Sequence, residues 1–404
     1  MLAGNLTAQA VSLLAAPVIT RIYEPDAYGV MSLIQTLSVF VGGLICFCYH
    51  QAIVLPAKDE KAYNLSALSF FAIIFTCISL FLLVYFFSDF LSNVLKISKY
   101  KNYLYFIPII ALFLGVKDIF TYLYTRFKYF KKLSIAIAII PLFTVLIKIS
   151  AGYILTASPF WLIIANLFGI VIAVFFLAFN FRSKLLILIK YFKTSTVNEV
   201  AKEYKNFPKY SLPGTFFDSM TNNLPLLLLA FFYSPVTVGF YGFTNVVLQR
   251  PVAIISQSIS QILLKKFSDT LNSGEELYNI LKKATLSLFL LGIIPFSVLA
   301  FGGEFIFNIV FGDNWEEAGV YAQILAPMFF LLLINKPAGR IIIAKQKLRF
   351  GMYFSFVVNS LGILGVIAGY VFFNSPYASL TFLSAIVVFM NVIFIKYAFI
   401  ISRD

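Results

Sequence analysis

The sequence predicts an all-α polytopic membrane protein: twelve transmembrane helices in two pseudo-symmetric six-helix bundles of the same orientation. Three observations carry this. First, of 404 residues 61% are hydrophobic and 12% charged, with a mean hydropathy of +0.92, against roughly 25% charge in a soluble domain; so few polar residues cannot give every helix a face for water. Second, runs such as 68–87 and 162–181 are apolar almost throughout, whereas a membrane barrel needs alternating strands of about ten residues. Third, turn and charge signals recur with a period of about half the chain.

Cutting at Pro, Gly and charge clusters gives candidate helices at 2–20, 28–54, 62–87, 103–125, 133–155 and 160–181, then 211–232, 238–262, 280–302, 318–343, 350–373 and 378–400. Most hold the ~20 apolar residues that span a bilayer. The first begins at Met1 and lacks a small-residue cleavage site, so it reads as a retained helix rather than a signal peptide. Lys and Arg set the orientation. With the N-terminus in the cytoplasm, the inner segments hold 22 of the 31 basic residues and eight acids; the outer loops hold Arg21, Lys96, Lys99 and Lys101 against seven acids. Both termini are then cytoplasmic. The net charge of +14 is a positive-inside signal, which removes the support for a nucleic-acid partner.

The longest polar interruption divides the chain: residues 1–181 form an N-terminal bundle, 182–210 a basic cytoplasmic linker and 211–404 a C-terminal bundle. The linker carries seven basic residues and two acids, and its part 183–192 reads either as a basic amphipathic helix on anionic headgroups or as a solvated loop. The halves repeat each other. Tyr23-x-Pro25-x-x-x-Gly29 matches Tyr233-x-Pro235-x-x-x-Gly239; Tyr63-Asn64-Leu65 matches Tyr278-Asn279-Ile280; Pro108, Lys117, Arg126 and Lys128 match Pro327, Lys336, Lys345 and Lys347. Three matches in one order, at offsets of 210, 215 and 219, argue for a six-helix repeat, with the copies related by an axis along the membrane normal and the substrate bound between them.

Seven ionisable residues fall at membrane depth: Lys117, Lys148, Arg250, Lys336 and Arg340 against Asp118 and Asp218. Each costs about 2.5–3.5 kcal/mol at a helix centre on the insertion scale, so each should face a partner or a water-filled cavity. Five cations and two acids cannot all pair, which leaves at least three positive charges for water or an anionic ligand. Lys117 and Lys336 stand mid-helix, nine residues after a Pro in both copies, and their symmetry would bring them to one cavity; the competing reading is a structural pair of Asp118 with Lys117 or Lys148. Arg340 is one turn beyond Lys336 and shares its face, while Arg250, before Pro251, either joins the cationic set, snorkels or binds a freed carbonyl. Asp118 and Asp218 are candidates for cation coupling, since desolvation raises a carboxyl pKa, or for structural roles. Asn5, Gln9 and Ser12, and Asp218, Thr221 and Asn222, form polar stripes that line the cavity or bond between helices. Cys46, Cys48 and Cys77 lie in apolar stretches and read as packing residues, and with His50 the sole histidine neither a metal site nor a cofactor is expected.

At these residues the chain resembles the oligosaccharide flippases of the polysaccharide-export family, relatives of the multidrug and toxin extrusion transporters. Pro17-x-x-Thr20-Arg21-Ile22-Tyr23-x-Pro25-x-x-Tyr28-Gly29 is similar to the family's Pro-x-x-Thr-Arg-Leu-Tyr-x-Pro-x-x-Phe/Tyr-Gly. Further pieces are Ala52-Ile-Val-Leu-Pro56, then 207–213 (Phe-Pro-Lys-Tyr-Ser-Leu-Pro), Asn223-Leu-Pro225, Val238-Gly239, Pro251, Gln257 and Gln261. Two departures stand out: Cys48-Tyr49-His50 replaces the family's frequent Arg-Tyr-Glu, losing any ion pair there, and the N-terminus is about ten residues short, as if the chain started later than its relatives. The resemblance implies a bacterial inner-membrane protein, not an enzyme, that moves undecaprenyl-pyrophosphate-linked oligosaccharide to the outer leaflet by alternating access, for lipopolysaccharide, capsule or exopolysaccharide. Its partners would be membrane lipids, a polysaccharide polymerase and chain-length machinery. A positive cavity suits a pyrophosphate headgroup on chemical grounds alone. A multidrug exporter of organic cations would want buried carboxylates rather than cations, and a lipid-linked polymerase or ligase would want larger outer loops than the fifteen or so residues at 88–102 and 303–317.

Overall fold

A computed structural model of the chain describes residues 2–191, 194–273 and 277–403, without the side chains of 2–3, 185–190, 221, 257–258, 260–261, 272–273 and 348. Thr221, Gln257 and Gln261, and the side chains that would decide the face of 183–192, lie outside the described residues. Every described element is helical, and the helices supply twelve crossings, six in each half of the chain. By contacts the chain divides into two compact units, Met1–Gly239 and Phe240–Asp404.

The first unit holds α1 (Leu2–Leu14), α2 (Ala16–Ile22), α3 (Pro25–Gly42), α4 (Asp59–Val94), α5 (Phe106–Arg126), α6 (Phe130–Ile154), α7 (Pro159–Tyr191), α8 (Thr194–Glu203), α9 (Leu212–Phe232) and the first turn of α10 (Pro235–Ser273). Short 3-10 segments at Tyr49–Val54 and Ser98–Tyr105 precede α4 and α5. α1 packs on α6, α6 on α7, and α3 on α5, α7 and α9. The second unit holds the rest of α10, α11 (Leu277–Phe311), α12 (Glu316–Ile334), α13 (Lys336–Ala344), α14 (Leu348–Phe373) and α15 (Pro376–Ile401). Here α11 packs on α12 and α14 on α15, and a buried aromatic cluster of Phe243, Phe307, Phe311 and Trp315 joins α10 to the end of α11 and the turn after it.

The polarity of the packing is that of a membrane protein. α4 exposes Phe71, Phe75, Ile78, Leu82 and Phe86, three or four residues apart, while Asn64, Ser66, Ser69, Ser88 and Ser92 are buried. In water this would be the wrong way round; in lipid, the apolar side chains meet hydrocarbon and the polar ones bond to helix carbonyls, as Ser66 does to Ala62 and Ser69 to Leu65.

Among the described residues, eight helical stretches are long and apolar enough to cross a membrane: α4, α5 with its 3-10 lead, α6, α7, α11, α12 with α13, α14 and α15. The remaining four crossings, α1 with α2, α3, α9 and α10, are the first two of each half. They are broken or more polar for visible reasons. Pro17 has no N–H to give Leu13, and α1 stops at Leu14; in α9 Asp218, Asn222 and Asn223 interrupt the apolar run. The halves therefore share a polar leading pair as well as sequence motifs.

The structure corrects the expectation of one helix over 28–54. α3 ends at Gly42, the chain turns through Phe47 and Cys48 at φ of 47° and 60°, and a 3-10 turn follows from Tyr49 to Val54. Gly42-Gly43 weakens the helix locally, and the left-handed residues, costly without a glycine, are fixed by burial of Ile45, Cys46 and Cys48. All three cysteines are buried and unbonded to one another.

The repeated Tyr-x-Pro-x-x-x-Gly motifs meet. Pro25 and Pro235 each open a helix, where a missing N–H costs nothing. A Cβ on Gly29 would overlap the carbonyl oxygen of Pro235, and one on Gly239 would overlap that of Pro25. The two helix starts thus cross backbone to backbone, one turn in, and glycine is needed for the approach rather than for its backbone angles. Tyr23, 1% exposed, anchors the first motif by donating its hydroxyl to the Lys148 carbonyl at 2.8 Å.

Candidate functional site

In the first unit the membrane-depth charges centre on α5. Lys117 Nζ lies 3.1 Å from Asp118 Oδ1, and the two side chains are 29% and 31% exposed. Neighbours on a helix do not normally face each other; the long lysine stem bends round to reach its neighbour. Of the two readings open for Lys117, the structure forms the ion pair with Asp118. Thr121 and Thr125 continue the polar row, each bonded one turn back. Lys148 on α6 is buried, at 8% exposure, its carbonyl taken by Tyr23.

On α9, Asp218 and Asn222 are exposed, and Asn222 donates to the Asp218 carbonyl at 2.8 Å. On α1, Asn5 and Gln9 are half-buried, and Gln9 Oε1 is buried without a hydrogen-bond partner; Ser12 bonds back to Ala8. The α1 stripe thus offers one open acceptor, while Asp218 and Asn222 of the α9 stripe are exposed.

In the second unit Lys336 is not mid-helix. Pro337 cannot donate to Leu333, so α12 ends at Ile334 and Lys336 opens α13, half-buried. Asn335, in the break, donates to Asn391 Oδ1 and leaves its own Oδ1 buried without a partner. Arg340 lies one turn on, also half-buried, and its charge acts on Lys336. Between Glu317 and Ala344 the chain has no acid, so two cations stand on one short helix with no carboxylate along α12 or α13 beyond the first turn. Arg250 is half-buried on α10, directly before Pro251.

Three features escaped the sequence. Arg126 clamps the turn before α4, with Nε and Nη2 on Asp59 at 3.0 and 2.8 Å and Nη1 on the carbonyls of Ile53 and Pro56; this explains the Ala52–Pro56 motif, whose shape a guanidinium holds. Lys61 ties α4 to α8 through Glu199 at 2.9 Å and Glu203 at 2.7 Å, and the ammonium holds the Glu203 carboxyl below its usual range. His50, 6% exposed, packs edge-on against Tyr122 with ring centres 5.2 Å apart, its Nδ1 buried without a partner. The departure from the family's Arg-Tyr-Glu was the one signal for it. Among the described residues no group of three His, Cys, Asp or Glu could hold a metal ion.

The fold is shared with known transporters. An inward-facing multidrug resistance MATE family transporter of the MOP superfamily superposes with a TM-score of 0.70 at 9% identity, over 100% of this chain and 94% of that one. The lipid II flippase MurJ, in an inward closed conformation, gives 0.71 at 13% identity, over 98% and 86%; the MATE multidrug transporter DinF-BH gives 0.61 at 14%, over 98% and 92%. At such identities the likeness is one of fold. No curated protein matches by sequence. The family described as polysaccharide biosynthesis protein matches residues 18–320, three quarters of the chain, from within α2 to the start of α12. The chain is thus a multi-pass membrane protein of transporter fold, and it belongs to the polysaccharide biosynthesis protein family.

Proposed function

We propose that this protein is a flippase that carries undecaprenyl-pyrophosphate-linked oligosaccharide across the bacterial inner membrane by alternating access and delivers it to a polymerase and its chain-length machinery. The observation that carries the reading is a polysaccharide-biosynthesis sequence on a transporter fold. The charge pattern supports an anionic cargo. The cations of α13 have no acid on their own helix or along α12 beyond its first turn, and phosphate oxygens would answer them by charge-assisted bonds. Lys336 and Arg340 in the second unit and Lys117 in the first are the proposed headgroup contacts, with Lys148 and Arg250 adding to the field; Asn5, Gln9 and Asn222 would meet sugar hydroxyls, and Asp218 would couple a cation.

Deleting the gene in a strain with no second flippase should abolish surface polysaccharide and leave lipid-linked units in the inner leaflet. Intact polysaccharide together with new sensitivity to organic cations would replace this reading with that of a drug exporter. The orientation, with both termini cytoplasmic, has its own check: a reporter after Asp313 should be periplasmic and one after Lys202 cytoplasmic, and the reverse pattern would invert the topology.

A further inference from the structure

His50 occupies a position that packing alone does not explain. Its ring is buried, its Nδ1 has no partner, and its neighbour Tyr122 lies one turn after Asp118, on the same face of α5. The charges of Asp118 and Lys117 both act on it. The other titratable groups described around the turn are occupied or exposed. At the start of α4, Asp59 is clamped by Arg126, Lys61 holds Glu199 and Glu203, and Tyr63 stacks on Phe127 and Tyr191. Glu60 also begins that helix. From the segment before α9, Lys209 and Tyr210 are exposed and pair with each other; from α9, Asp218 is exposed, and Thr215 meets the Cys48 thiol at 3.6 Å. Tyr49 bonds to the Ala201 carbonyl, and Cys46 and Cys77 are buried thiols bonded to carbonyls. An imidazole with an open nitrogen, packed on Tyr122 one turn from a lysine–aspartate pair, is the side-chain type here whose ordinary pKa lies nearest neutral.

We propose that His50 is a proton-binding positioning residue that decides whether Lys117 is held by Asp118 or free for the anionic headgroup. The idea rests on the pyrophosphate reading of Lys117 and adds its regulation. With His50 neutral, Asp118 holds Lys117 at 3.1 Å. A proton from water enters at Nδ1, and the imidazolium becomes a second cation beside Asp118. The carboxylate then has two cations to answer, and its hold on the lysine, about a third exposed, weakens so that the flexible stem can swing to the phosphate. Proton and headgroup bind together, so each strengthens the other's affinity by the same factor.

The test uses the full chain in lipid nanodiscs, without a histidine tag, and farnesyl pyrophosphate as the probe. Because the chain has one histidine, labelled imidazole gives one carbon resonance, and its titration belongs to His50. Saturation with the probe should raise that midpoint by about one pH unit, equivalent to about tenfold coupling. Probe affinity in the wild type should rise about tenfold more from pH 8 to pH 5.5 than in His50→Gln, whose residual change is the probe's own titration. Asp118→Asn should bind tightly at both pH values, and Lys117→Gln weakly at both. If Lys117→Gln binds like the wild type, the phosphate reading falls and this proposal with it. If Lys117→Gln loses binding while His50→Gln keeps the full pH dependence, His50 has no such role and the phosphate reading stands. Should His50→Gln fail to fold, the wild-type resonance decides: a midpoint unmoved by the probe overturns the proposal.

Discussion

Lys336→Gln is expected to cut surface polysaccharide display to about a tenth or less of the wild-type level, the scale set by losing one charged phosphate contact of about 1.5–3 kcal/mol, without lowering the amount of protein in the membrane. The second half of that expectation gives the test its force. Lys336 is half-buried at the opening of α13, one turn from Arg340. Removing its charge relieves a burial cost of about 2.5–3.5 kcal/mol on the insertion scale and a repulsion between like charges, so the variant should be no less stable than the parent. A loss of transport then reports on cargo. Lys336→Arg keeps the charge and should retain partial display, since a phosphate accepts either cation, though not in the same geometry. Lys117→Gln differs, because Asp118 is left without its partner at 3.1 Å: abundance should fall along with display, and Asp118→Asn in the same chain should restore abundance but not display. Normal display in both Lys→Gln variants would end the phosphate role.

These expectations mark how far the sequence could be read. Hydropathy and basic loops were enough to place the crossings, because lipid enforces a simple rule on composition; the repeated Tyr-x-Pro-x-x-x-Gly motif was visible because close backbone contact admits only glycine. Other features depend on tertiary partners. The stretch 43–54 is as apolar as a helix, and only the burial of Ile45, Cys46 and Cys48 among other elements makes it turn. Lys336 looked mid-helix because Pro337 inside an apolar run gives either a kink or a break, and the sequence does not say which. Arg126 and Asp59 are 67 positions apart with no local pattern to link them. A lone histidine argues against metal chemistry but says nothing of what another helix packs against it, here Tyr122 of α5.

The largest stability effect expected away from the charges lies at the crossing of the two motif glycines. Gly29→Ala puts a methyl group onto the Pro235 carbonyl oxygen, and Gly239→Ala puts one onto that of Pro25. Both obstacles are backbone atoms at helix starts, so no rotamer change relieves them and two helices must separate. Overpacking of this kind costs about 1–3 kcal/mol, and more for Val than for Ala. Gly214→Ala is the matched control, since nothing lies within 4 Å of its added carbon; there the helix should gain up to about 1 kcal/mol from the better helix former. In detergent, Gly29→Ala and Gly239→Ala should each unfold at lower temperature than the parent, and Gly214→Ala at the same temperature or higher. The double variant adds a sharper expectation. Both glycines serve one contact, so the separation that accommodates the first methyl also makes room for the second, and the combined loss should be less than the sum. Strictly additive losses would mean that the two positions are independent, and singles as stable as Gly214→Ala would mean that the helix starts do not meet.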